Sequence, residues 1–149
     1  MTNAAKKAIE YKKGSSDIGV SVDGTWQRRG YTSMNGVITA ISIDIGQIVD
    51  VEIMSRYCRQ CAIHSRLLND DVDALNSWKE KHKESCTMNH EGSAPSMECE
   101  GATRMFKRSE QERGVRYTEY YGDGDSKGYE SVKDNYTGIV VEKKECIGH

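Results

Sequence analysis

The chain has 149 residues, of which 36% are hydrophobic and 30% are charged, so it is long enough for one domain with a sizeable core and too short for two. No segment approaches the roughly 18 consecutive apolar residues of a membrane span, and the N-terminal residues 1–14 lack the apolar run of a secretory signal. The formal net charge is −2, so contact with nucleic acid has to rely on local basic patches. We expect a single soluble fold inside the cell, without a membrane partner.

The first predicted elements are a helix and three strands. Residues 4–13 have the spacing of a short amphipathic helix. Over 18–22, isoleucine and valine alternate with small residues, which is typical of a strand, and this strand should end at Asp23 and the glycine after it. Two runs rich in β-branched residues follow, at 36–44 and 47–54, joined by a tight hairpin. The pattern predicts three successive antiparallel strands, with Asp23 at the end of the first.

The apolar spacing becomes helical after Tyr57, which predicts an insertion between the third strand and the next helix. Residues 63–82 fit one helical face, and residues 88–96 contain asparagine, glycine and the one proline, which are typical of a loop. We place the insertion at about residues 57–96.

The remainder alternates helix and strand. Residues 97–113 have helical spacing, and residues 115–121 read as a strand that leads into an acidic turn at 122–125. A helix over 126–136 and a short strand over 139–141 should follow. The order β-β-β-(insertion)-α-β-α-β predicts an α/β fold with a mixed sheet.

Acidic residues follow two of the predicted strands. Asp23 closes the first, and Asp123 and Asp125 close the fourth. Carboxylates at neighbouring strand ends can bind hard cations, and two such ions about 4 Å apart carry out phosphodiester chemistry. The alternative is that these aspartates are turn residues before glycine. A calcium loop starting at Asp123 is disfavoured, because its fifth position is Lys127 and its twelfth is Asp134.

Cysteine and histidine residues in the insertion have the spacing of a zinc site. The chain has five cysteines, an odd number, which in an intracellular protein favours metal binding over disulfides. Zn²⁺ takes four nitrogen or sulfur ligands in a tetrahedron, and paired short spacings supply two from each side. Such a zinc would be structural, since the insertion is too small for a core of its own. The predicted ligands are Cys58, Cys61, His82 and Cys86, with His90 as an alternative to His82, and Cys99 and His64 as outside candidates.

Other interpretations of these cysteines stay open. They can be ordinary buried thiols, or Cys58 and Cys61 can form a redox motif, although no parallel βαβ pattern surrounds them. Cys146 and His149 form a further Cys-x2-His pair, which by spacing alone is either half of a second zinc site or chance.

Local basic clusters are the candidate contacts for phosphates, and nearby aromatic residues could stack on bases. The alternative is a solvated charged surface. The basic clusters are Arg28-Arg29, then Arg56, Arg59 and Arg66, then Arg104, Lys107, Arg108 and Arg113, and the aromatic residues are Trp26, Tyr31 and Tyr57.

Several separated motifs occur in a fixed order along the chain. They are Val22-Asp23-Gly24-Thr25-Trp26-Gln27-Arg28-Arg29-Gly30, Cys58-x2-Cys61, Gly92-Ser93 with Met97-Glu98, Tyr121-Gly122-Asp123-Gly124-Asp125-Ser126-Lys127, and Glu145-Cys146-Ile147-Gly148-His149. Together they resemble the Mutator-like transposase domain, from about Asp17 to the last residue.

The resemblance implies a ribonuclease H-like fold with the zinc-binding insertion, and an Asp-Asp-Glu catalytic triad that cuts DNA at transposon ends and joins strands with Mg²⁺ or Mn²⁺. Asp23 matches the first acid, and Asp123 or Asp125 the second. Cys146 and His149 match the Cys/Asp-x2-His signature after the second acid. The implied partners are transposon-end and target DNA and further copies of the full-length enzyme, and the implied location is the nucleus.

The third acid of such transposases is a glutamate on a later helix, for which the sequence offers no candidate. We therefore expect residues 17–149 to form a partial catalytic domain that is inactive alone, preceded by a helix and linker at 1–16. The alternative is a domesticated or decayed transposon remnant that serves as a zinc-stabilised module binding DNA or protein.

Overall fold

The computed structural model describes residues 2–27, 33–122 and 127–145. Within these ranges the chain forms five strands, five α-helices and one π-helical turn. Their bounds are α1 Thr2–Tyr11, β1 Asp17–Trp26, β2 Asn35–Ser42, β3 Ile48–Ser55, α2 Arg59–Leu67, α3 Val72–His82, α4 Ala94–Arg108, the π-helical turn Ser109–Arg113, β4 Arg116–Gly122, α5 Lys127–Val132 and β5 Glu142–Glu145.

The five strands form one mixed sheet in the order β3-β2-β1-β4-β5. The first three strands pair antiparallel, as predicted, whereas β4 runs parallel to both β1 and β5. A parallel neighbour needs a long crossover, and the insertion with α4 supplies it between β3 and β4. The mixed α/β architecture is therefore confirmed.

The first strand is longer than predicted. Asp23 pairs with Thr39, and Gly24 with Ile38, so the ladder between β1 and β2 continues to Trp26. Aspartate followed by glycine suggested a turn, but the partner strand extends past both residues and keeps them in the sheet. Asp23 therefore lies within β1 and not at its end.

The insertion contains two helices where one was predicted. α2 and α3 are separated by residues 68–71, and the Asp71 side chain accepts a hydrogen bond from the Ala74 amide over 3.0 Å, which starts α3. We call residues 57–87, which carry these two helices, the arm. Neither helix contains a buried residue, and both lie wholly within the described ranges.

α4 begins earlier than predicted. Its cap is Ser93, whose hydroxyl accepts from the Ser96 amide, and Pro95 lies in the first turn. Proline fits there because its missing N–H would have had no partner within the helix. The helix ends at Arg108, and the π-helical turn is capped by the residue after it, Gly114, whose φ of 71° favours glycine.

Two C-terminal predictions were misplaced. α5 ends at Val132 and does not reach Tyr136, and β5 follows the predicted 139–141 segment. That segment instead pairs through Val141, whose amide donates to Lys133 O and whose carbonyl accepts from the Tyr129 hydroxyl. Isoleucine and valine at 139–141 indicated a strand, but the two hydrogen bonds of Val141 hold this segment against α5 and the residue after it.

The core lies between the sheet and α4, with α1 and α5 alongside. Phe106 on α4 packs edge-on to Tyr117 of β4, with ring centroids 5.0 Å apart, and both side chains are fully buried. α1 adds its three buried alanines to the same core. The arm contributes none of its helical residues to this core.

Candidate functional site

Both ends of the arm carry cysteines. Cys58 is the cap of α2 and Cys61 lies in its first turn, whereas His82 ends α3 and Cys86 follows in the next turn. The local fold brings one ligand atom from each residue to within 4.8 Å of the others. The four predicted zinc ligands therefore form a Cys3His cluster.

The spacing of the cluster fits a tetrahedral metal ion. Cys58 Sγ lies 3.3 Å from His82 Nε2, and Cys61 Sγ lies 3.6 Å from Cys86 Sγ. A zinc ion with bonds of about 2.3 Å to sulfur and about 2.05 Å to nitrogen has ligand edges of about 3.6 to 3.8 Å. A disulfide needs about 2.05 Å, and all four cysteines in the described ranges are free thiols. The donor set and its geometry are those that hold zinc.

The two cysteines of α2 differ in their ionisation. Backbone hydrogen bonding from Cys61 is the largest factor that lowers the pKa of Cys58, to about 5, and Thr87 and His82 also lower it against the effect of burial. Burial is the largest factor that raises the pKa of Cys61, to about 12, and the sulfurs of Cys86 and Cys58 add to it. The first sulfur is thus prepared as a thiolate, and a cation between the sulfurs would favour ionisation of the second against the effect of burial.

A stack of three rings joins the two helices of the arm. Trp78 lies between His64, at a centroid distance of 3.9 Å, and His82, at 4.5 Å, with all planes nearly parallel. His64 Nδ1 is 2.9 Å from the Gln60 carbonyl oxygen, which orients that ring along α2. His64, an outside candidate for the metal, therefore supports His82 through Trp78.

The segment that follows the arm is hydrogen-bonded to β3. The Asn89 side chain accepts from the Ser55 amide and donates to Ile53 O, each over 2.7 Å. The Thr87 hydroxyl donates to Tyr57 O over 3.0 Å, which joins the two chain segments that enter and leave the arm. These contacts fix the metal centre relative to the sheet at the edge strand.

The other candidate ligands lie elsewhere. His90 is buried, with Nδ1 2.9 Å from Glu100 Oε2 and Nε2 2.9 Å from Ser96 Oγ, so it fixes the start of α4. Cys99 lies within α4 and, like His90, is not part of the Cys3His cluster.

The candidate acidic site is only partly within the described ranges. Asp23 is exposed on β1, and its backbone carbonyl accepts from the Thr39 hydroxyl. Ser21 pairs with Tyr121 of the parallel strand β4, so the described end of β4, Gly122, lies beside this part of β1. The other four predicted residues lie outside the described ranges: Asp123, Asp125, Cys146 and His149.

A comparison with models of protein families identifies the family to which this chain is related. The model of the Mutator-like transposase family matches residues 2–149, nearly the whole chain. The chain belongs to the Mutator-like transposase family. No curated protein and no solved structure matches it significantly. Membership implies binding to DNA, and within the described ranges this transposase-family chain has no helix long and apolar enough to cross a bilayer.

One carboxylate near β1 was not assigned a role from the sequence. Glu98 lies on α4, and its Oε2 would be 3.5 Å from a Cβ atom placed on Gly24. The residue next to Asp23 therefore has its inner face close to a carboxylate. The Met97-Glu98 motif is the sequence signal that could have identified this glutamate in a transposase-family chain.

The three arginines of the basic cluster on α4 and the turn after it are paired with acids. Arg108 and Arg113 both bond to Asp50, which is fully buried, at 2.7 and 3.0 Å. Arg108 also bonds to Glu52 at 2.6 Å, and Arg104 bonds to Glu100. Residues 28–29 and Tyr31 of the first predicted cluster lie outside the described ranges. The arginines on α4 thus hold the helix against β3.

Proposed function

We propose that this chain forms part of the catalytic domain of a Mutator-type DNA transposase, an enzyme that cleaves DNA at transposon ends and transfers the strands in a metal-dependent reaction. The proposal rests on the family match and on the parallel pairing of β1 with β4. This pairing is the observation that carries it, because it directs the strand with Asp23 and the strand before residues 123–125 to the same edge of the sheet. The strand order and directions are compatible with a ribonuclease H-like fold.

In this proposal the carboxylates at that edge hold two divalent cations. Asp23 supplies the first carboxylate, and Asp123 or Asp125 the second. Oxygen ligands are those that Mg²⁺ and Mn²⁺ prefer. When bound, the ions supply activation of the attacking water or 3′-hydroxyl and stabilisation of the leaving oxygen. Cys146 and His149 belong to the same site in the proposal, through the family signature.

The arm has a separate and structural role. Its Cys3His cluster fits zinc, which would hold two helices that have no buried residue. All four positions are taken by protein ligands, so a zinc there has no open position for substrate. We place the catalytic ions at the acidic edge and the zinc in the arm.

The third acid decides whether this chain is active alone. The family resemblance places it on a later helix, so we propose that the 149-residue chain binds DNA and divalent cations without transferring strands. Glu98 does not take this role, because its carboxylate approaches β1 at Gly24, and neighbouring residues of a strand face opposite sides of the sheet, so the exposed Asp23 side chain faces away from it. The full-length enzyme would act on transposon ends and target DNA, as an oligomer and in the nucleus.

The test is a nicking and strand-transfer assay with duplex DNA in Mg²⁺ and in Mn²⁺. The variants are Asp23→Asn, Asp123→Asn and Asp125→Asn, and Asp70→Asn, at an exposed position in the arm, is the matched control. We expect the wild-type chain to bind DNA and Mn²⁺ without cleaving the DNA. Mn²⁺ binding should be weaker in Asp23→Asn and unchanged in the Asp70→Asn control. Cleavage that is lost in Asp23→Asn but kept in Asp70→Asn would contradict the proposed inactivity of this chain.

A zinc-stabilised module that only binds DNA or protein gives a different result. Its DNA affinity would fall with salt but would be unchanged in Asp23→Asn, Asp123→Asn and Asp125→Asn, with no Mn²⁺ bound at the acidic edge. That result would contradict the transposase proposal for this chain.

A further inference from the structure

His82 approaches the other ligands through one particular nitrogen. Its Nε2 lies 3.3 Å from Cys58 Sγ, on the side of the cluster. Its Nδ1 faces away from the cluster and lies 3.2 Å from the Ser85 hydroxyl oxygen. A neutral imidazole carries one proton, so the partner of Nδ1 decides which nitrogen has the free electron pair.

The Ser85 hydroxyl has its own proton committed elsewhere. It donates to the His82 carbonyl oxygen over 3.1 Å. The Ser85 amide donates to the same carbonyl over 2.9 Å, so the turn after α3 holds the serine in place. With its hydrogen used, the hydroxyl oxygen can only accept from Nδ1, which places the imidazole proton on Nδ1 and the free electron pair on Nε2.

The plane of the His82 ring is fixed independently. Trp78 stacks on it at 4.5 Å with an angle of 16° between planes, and His64 stacks on the far side of Trp78. Stacking fixes the ring plane but does not distinguish the two nitrogens. Only the hydrogen bond to Ser85 does that.

We propose that Ser85 is a positioning residue of the Cys3His centre, and that its hydroxyl holds His82 in the Nδ1–H tautomer that presents Nε2 to zinc. This inference rests on the proposed zinc site in the arm and does not depend on transposase activity. Hydrogen bonds to the far nitrogen of a ligating histidine fix its orientation and raise its basicity, and their loss lowers metal affinity roughly 10- to 100-fold.

The affinity test uses the full chain and zinc alone, in competition with a chelator of known affinity. We expect Ser85→Ala to bind zinc roughly 10-fold more weakly or worse, and Ser85→Thr, which keeps the hydroxyl, to recover most of the affinity. Ser77→Ala is the matched control, because Ser77 is an exposed serine on α3, the helix that ends at His82. Equal affinities for Ser85→Ala and Ser77→Ala would overturn the proposal.

A second measurement needs no variant. Nitrogen-15 chemical shifts of the His82 ring in the zinc-bound wild-type protein distinguish the coordinating nitrogen from the protonated one. We expect zinc on Nε2 and the proton on Nδ1. Coordination through Nδ1, or a wild-type protein that binds no zinc, would overturn the inference, and only the second result would also remove the structural zinc site.

Discussion

The arm and the sheet are held together by different forces. In the sheet, apolar side chains such as Phe106 and Tyr117 are fully buried between α4 and the strands. In the arm, neither α2 nor α3 has a buried residue within the described ranges, and the helices meet through three stacked rings and four ligand atoms. Burial stabilises the sheet without a metal, whereas the arm is too poor in apolar contacts to fold alone. The two regions should therefore respond separately to perturbation.

The largest expected effect is that of metal removal on the arm. Binding of zinc at structural sites contributes about 10 kcal/mol or more to folding at neutral pH. We expect a chelator, or Cys58→Ser with Cys86→Ser, to abolish hydrogen-exchange protection in residues 59–86. Amides of β1 and β2 should keep their protection, because their ladder does not involve the arm.

Cys99→Ser provides the control for the cysteine variants, because Cys99 lies in α4 and outside the cluster. Full zinc content in Cys58→Ser and Cys86→Ser would show that the ligand set is wrong. Simultaneous loss of protection in the sheet would show that the arm and the sheet fold as one unit.

The converse perturbation removes part of the core. Phe106→Ala takes away a fully buried ring that contacts Tyr117, Tyr120 and Tyr136. We expect it to lower the free energy of unfolding by about 3 to 5 kcal/mol, because burial is lost and a cavity forms. Urea unfolding followed by circular dichroism measures this change. Zinc affinity below the unfolding transition should stay at the wild-type value, and a parallel loss of zinc affinity would contradict the separation of the regions.

A smaller effect is expected where α4 is fixed to β3. Asp50 has no exposed surface and accepts hydrogen bonds from Arg108 and Arg113. Asp50→Ala leaves both guanidinium groups without their buried partner, which should cost about 3 kcal/mol of stability. Asp70→Ala, at an exposed position in the arm, is the control. If both variants unfold at the same urea concentration, the ion pairs do not hold the helix.

The features that the sequence predicts best are those encoded by local periodicity or by ligand spacing. The β-branched runs identified β2 and β3 closely, and the two Cys/His pairs identified the Cys3His cluster, because a tetrahedral site imposes short spacings. The proline at position 95 was placed in a loop, although its missing N–H suits the first turn of α4 equally well. Local signals of this kind do not tell the start of a helix from a loop.

The features that the sequence missed depend on partners far along the chain. Asp23 followed by glycine reads as a turn, and only the extended partner strand β2 keeps it within β1. The arginines of α4 read as a basic patch, because nothing local shows that Asp50 and Glu52 lie opposite them. The approach of Glu98 to Gly24 likewise joins residues 74 positions apart (98 − 24).

The smallest expected effect is a pH dependence at Glu100, on α4. Burial is the largest factor acting on Glu100 and raises its pKa, but the hydrogen bond and charge of Arg104, together with His90, outweigh burial and lower it below 4.5. A carboxyl group with a lowered pKa stabilises the folded state above its ordinary pKa, and this contribution is lost as the pH falls below 4.5. The free energy of unfolding of Glu100→Gln should therefore be lower than that of wild type at pH 7, by about 1 kcal/mol or less, since the side chain is partly exposed. This difference should shrink at pH 3. Urea unfolding at both pH values measures it, with the exposed Glu80→Gln in the arm as control. A Glu100→Gln variant that is more stable than wild type at pH 7 would mean that burial, and not Arg104, dominates at this carboxylate.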